Sequence, residues 1–76
     1  MLTPQQVIDS EYLESRCYLL EIAAVLDRYD SALERTGKAA ENTDQLDCLR
    51  KALALLAEPG ESKDRAEQLL QLFATV

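Results

Sequence analysis

Few side chains in this sequence are equipped for covalent or acid–base chemistry. Cysteine occurs twice, at Cys17 and Cys48, and histidine is absent. A nucleophile needs a neighbouring base or another device that activates it, so no Cys–His or Ser–His pair can be assembled. The cysteines lack Cys-x-x-Cys spacing, which removes the zinc and dithiol motifs and leaves open a single disulfide between them. Carboxylates are plentiful, fourteen Asp and Glu against eight Lys and Arg. A metal held inside a helical bundle is therefore the sharpest chemical hypothesis. Di-iron bundles present inward-facing Glu-x-x-His pairs, and without histidine none can form. The acid-rich run from Asp27 to Asp44 contains no loop with the ordered oxygen ligands and central glycine of a calcium-binding hand. Gly37 and Gly60 are the only glycines, too few for a phosphate-cradling loop. The expectation is a non-enzyme with no catalytic residue, no cofactor and no metal site.

One set of charges does carry a spacing with meaning. Glu14, Glu21, Arg28 and Arg35 follow one another at intervals of seven. On a helix, residues seven apart share a face. That face also carries Cys17, Tyr18, Ala24, Val25 and Ala32, and it is acidic in its first half and basic in its second. Such an order is self-complementary about a two-fold axis. Laid antiparallel on a second copy, residue i meets residue 49 − i, so Glu21 meets Arg28, Glu14 meets Arg35, and Ala24 meets Val25. A two-fold interface requires this reciprocity. A parallel pairing would set glutamate on glutamate. Neither Glu21 nor Arg28 has an opposite charge three or four residues away, whereas Glu34–Lys38, Asp47–Lys51 and Glu61–Arg65 have the spacing of ordinary local pairs. Glu21 buried without a partner would cost several kcal/mol, and an arginine offers it bidentate geometry.

The elements that must position these residues are helices, since no segment alternates as a strand would. Thr3 with Gln6 has capping-box spacing and Pro4 suits a first helical turn. Gly37 supplies a left-handed terminator, which predicts a helix over residues 4–36, roughly 50 Å long at 1.5 Å per residue. A second helix is predicted over 43–57, started by Asn42 or Thr43 and stopped before Pro59. A third is predicted over 62–75, capped by Ser62, with Ala66, Leu69, Leu70, Phe73 and Val76 on one face. Away from its charged face the first helix bears a second stripe: Ile8, Tyr12, Leu19, Ile22, Leu26, Tyr29 and Leu33. Leu46, Leu49, Leu53 and Leu56 are the natural cover for its C-terminal half. The lower end of that stripe, Ile8 and Tyr12 with Leu13, extends past such a cover if the second helix is short. The third helix or another chain must then bury it, or it is an exposed surface for binding a partner.

At 76 residues the chain is one helical domain at most. Below about 70–80 residues a single core rarely supplies more than roughly 3–5 kcal/mol without a staple or a partner chain. The fold class expected is all-α, one long helix and two shorter ones, two or four chains joining into a coiled-coil-like bundle. The net charge of −6 repels phosphates and anionic membrane surfaces, so neither nucleic acid nor membrane is an expected partner. A basic protein is compatible with it. The first residues lack the basic and apolar regions of a signal peptide, and the expected compartment is the cytoplasm. Function is then read as a homo-oligomerising interaction or adaptor module, with a small-molecule or metal-binding bundle as the alternative.

Overall fold

The structure is a computed structural model that describes residues 1–58 and 64–75. It is all-helical: α1 spans Pro4–Thr36, α2 Asp44–Ala57 and α3 Arg65–Phe73. No strand occurs among the described residues.

The start of α1 is closed by the reciprocal pair expected of its sequence. The Gln6 backbone N–H donates to Thr3 Oγ1 at 3.2 Å, and the Thr3 backbone N–H donates to Gln6 Oε1 at 2.8 Å. Two of the orphan donors of a helix N-terminus are thereby satisfied. Pro4 occupies the first turn, where its missing N–H costs nothing. At the other end Gly37 has φ of 67° and its N–H donates to the Leu33 carbonyl at 2.8 Å. Between these caps α1 runs 33 residues without a break.

The second helix begins one residue later than predicted, with Thr43 at its N-cap. Asn42 Oδ1 accepts from the Asp44 N–H at 2.8 Å, so its side chain serves the backbone of the first turn, while the Thr43 hydroxyl donates to Asp47 Oδ2 at 3.3 Å. α3 is shorter than predicted. It starts after Asp64, whose Oδ1 accepts from Gln68 Nε2 at 2.7 Å. The expected cap Ser62 lies outside the described residues, as do Glu61 of the expected Glu61–Arg65 pair and Val76 of the expected apolar face. The helix ends at Phe73, where the Thr75 N–H turns to the Leu72 carbonyl at 3.1 Å.

The chain divides into two compact units, Met1–Lys38 and Ala39–Val76. The first is α1 with its caps. In the second, α2 packs on α3. Cys48, near the start of α2, places its Sγ 4.0 Å from the carbonyl of Leu72 near the end of α3. The two helices are therefore antiparallel, and the third helix folds back instead of continuing the line of the second.

Packing in this unit departs from the predicted stripes. Cys48 and Ala52, one turn apart, are its buried residues among those described. Leu46 and Leu53 are half-buried, whereas Leu49 and Leu56 are exposed. On α3 the half-buried positions are Arg65, Gln68, Leu69 and Leu72, and Leu70 and Phe73 are exposed. The inward face of α3 is thus rotated from the one its apolar residues define. The contact with α2 is made at the small, buried Cys48, whose Sγ stands beside the Leu72 carbonyl. A small side chain at that point lets the α3 backbone come near and turns a face other than the most apolar one inward.

Candidate functional site

The residues singled out for self-association all stand on α1, and the unbroken helix holds them in one register. Glu14, Cys17, Tyr18, Glu21, Val25, Arg28 and Arg35 are exposed, and Ala24 and Ala32 are half-buried. Glu14, Glu21, Arg28 and Arg35 form the central line. Cys17 and Ala24, each three residues past a member of that line, fall on one flank. Tyr18, Val25 and Ala32, each four past a member, fall on the other.

Direct contacts draw the acidic half together. The Tyr18 hydroxyl donates to Glu14 Oε1 at 2.5 Å. That bond, followed by burial and the charges of Glu21 and Cys17, pushes the Tyr18 phenol above its ordinary pKa. Two carboxylates therefore bear on one phenol from opposite sides along the helix. In the basic half, Arg28 and Arg35 close no hydrogen bond or ion pair among the described residues, and Glu21 likewise has none.

Ile8, Tyr12 and Leu13, read as a further partner surface, are exposed at 59%, 58% and 70%. They lie at the N-terminal end of α1, beyond the charged face. Both thiols are free, Cys17 exposed and Cys48 buried. No group of three or more His, Cys, Asp or Glu among the described residues is placed to hold a metal ion. No helix among them is long and apolar enough to cross a membrane.

A feature that helical periodicity alone did not reveal lies in the second unit. Gln45, Cys48, Leu49 and Phe73 line an open cavity of about 350 Å³ beside the α2–α3 contact. Its signal in the sequence is the small Cys48 inside a leucine-rich helix, which is buried beside the Leu72 carbonyl of α3 and also lines the cavity.

Compared with known proteins, the chain matches no family model, no curated protein and no solved structure.

Proposed function

We propose that the chain is a non-enzymatic, self-associating interaction module in which the α1 helices of two copies pair antiparallel through their charged faces. The observation that carries this reading is the order Glu14, Glu21, Arg28, Arg35 along one face of an unbroken helix. Neither Glu21 nor Arg28 has an oppositely charged residue three or four positions away on that helix. The two-fold axis passes between the levels of Ala24 and Val25. Each helix then satisfies the other's glutamates with arginines, at Glu21–Arg28 and Glu14–Arg35, twice over.

The same register limits the overlap to residues 13–36 of each helix, because Thr36 of one copy reaches the level of residue 13 of the other. That overlap is about 36 Å at 1.5 Å per residue. Ile8 and Tyr12 project beyond it, and Leu13 stands at its edge, which leaves this end as the adaptor surface for a different protein. Four chains joining through the second stripe of α1 would extend the same assembly.

Charge reversal tests the pairing. Arg28→Glu sets a new carboxylate against Glu21 of the second copy and should raise the dimer dissociation constant at least tenfold, a loss of about 1.4 kcal/mol or more. Glu21→Arg combined with Arg28→Glu recreates the pair with its signs exchanged and should recover most of the affinity. Sedimentation equilibrium reads both. A wild-type chain that stays monomeric at several hundred micromolar ends the proposal.

A second reading, a helical bundle that binds a small molecule, has the α2–α3 cavity in its favour. Its volume is near the lower end of small-molecule pockets, and its lining mixes apolar side chains with one amide. Under that reading the charge-reversal variants leave the oligomeric state unchanged.

A further inference from the structure

Tyr18 is the aromatic side chain of the charged face, and it is 55% exposed. Its hydroxyl bond to Glu14 fixes its direction: the side chain runs toward the N-terminus, so the ring covers the turn between residues 18 and 14. A large, rigid ring held by its far end is the kind of group that anchors an interface.

What it would meet follows from the two-fold axis. In the antiparallel pair, the level of residues 14–18 is that of residues 31–35 of the second copy. An axis perpendicular to the paired helices carries each flank of the face onto the same flank of the partner. Ser31 stands at the level of Tyr18 but on the opposite flank. Ala32 stands one residue further on and on the same flank. The ring of Tyr18 therefore lies over the methyl group of Ala32, and its hydroxyl end, with Glu14, lies beside Arg35. The axis repeats this arrangement, so each copy supplies one knob and one notch.

We propose that Tyr18 is the specificity-determining residue of self-association: its ring seats on Ala32 of a second copy, and its hydroxyl holds the Glu14 carboxylate where Arg35 of that copy reaches it. This rests on the antiparallel pairing proposed above and adds the contact that selects its register. A like-charged or slipped register would place the ring against a larger side chain and leave Ala32 uncovered. The guanidinium of Arg35 also gains from the nearby aromatic face.

An exchange of the two side chains is the test, read by sedimentation equilibrium with circular dichroism to confirm that α1 remains helical. Tyr18→Ala leaves two empty notches, and Ala32→Tyr sets ring against ring. Each should raise the dimer dissociation constant about tenfold or more. The double variant Tyr18→Ala/Ala32→Tyr restores a ring facing a methyl group and should return to within about threefold of wild type. A loss of helix propensity at position 32 cannot produce that recovery, since the double variant retains it. Tyr18→Phe keeps the ring and should weaken pairing by only about two- to fivefold, through release of Glu14. The proposal is overturned if Tyr18→Ala dimerises like wild type, or if the double variant is no tighter than the weaker single one. In either case the antiparallel pairing itself still stands if Glu21→Arg/Arg28→Glu recovers from Arg28→Glu. A monomeric wild type removes both.

Discussion

A carboxylate on a helix face is harmless in water and costly once that face is covered. In the proposed pair Glu14 and Glu21 are the two acids that would be covered, and the structure shows how the first is held: the Tyr18 phenol donates to it. This bond has a pH signature. The phenol is pushed above its ordinary pKa, chiefly by the hydrogen bond to Glu14 and further by burial and by the Glu21 charge. Below the usual tyrosine range, about pH 10, the hydroxyl keeps its proton and supports α1. As pH rises through the raised value the proton leaves, and a phenolate stands between two carboxylates, so that support is lost. An NMR titration of the Tyr18 ring should give a midpoint above the ordinary one, and Glu14→Ala should bring it down. A midpoint that ignores Glu14→Ala would mean the bond is not made in solution. At this scale the charge order was legible from spacing alone, because a seven-residue interval on a helix needs no tertiary knowledge. The direction of the Tyr18 side chain was not, since several rotamers fit the same wheel and only the bond to Glu14 selects one.

At the scale of elements, legibility follows the range of the forces involved. The ends of α1 were readable to the residue because capping is local: Thr3, Pro4, Gln6 and Gly37 act on backbone groups within one turn. Gly37 makes that argument testable. Its φ of 67° is strained for a residue with a side chain, yet a Cβ placed there meets nothing within 4 Å. The cost of Gly37→Ala is thus one of backbone conformation alone, about 1–2 kcal/mol, and Gly37→Asn should cost less. Denaturant unfolding of the two variants checks the order, and an alanine variant as stable as wild type would contradict it. The inward face of α3 was not readable in the same way. Its apolar residues select Ala66, Leu69, Leu70 and Phe73, but the half-buried set includes Arg65 and Gln68. What bears on the inward face is the contact with another helix, where the buried Cys48 of α2 meets the Leu72 carbonyl. That is a tertiary term, and no periodicity within α3 encodes it.

For the whole molecule, the question is what covers the large apolar side chains. Cys48 and Ala52 are the buried residues of the described chain, and no large side chain among those described is fully buried. A single helix with caps cannot bury either of its own faces, and the antiparallel pairing proposed above would cover one face of α1. The free, exposed Cys17 thiol on its charged face would report the orientation of a second copy in that pair. In the antiparallel pair, Cys17 of one copy lies at the level of residue 32 of the other, about 22 Å along the axis from that copy's own Cys17 at 1.5 Å per residue. A disulfide needs Cα atoms within about 7 Å, so oxidation of the wild-type chain should give no Cys17-linked dimer. Cys48, only 6% exposed, does not compete. Ser31 is on the same flank as Cys17 and one residue from its opposing level. Ser31→Cys should therefore link to Cys17 of the second copy, forming a covalent dimer that a reducing gel dissolves. A parallel, in-register pair reverses the first outcome, since its Cys17 thiols would lie side by side. Ready cross-linking of the wild-type chain through Cys17 would replace the antiparallel register with that one, and would turn Glu21 against its own copy instead of toward Arg28.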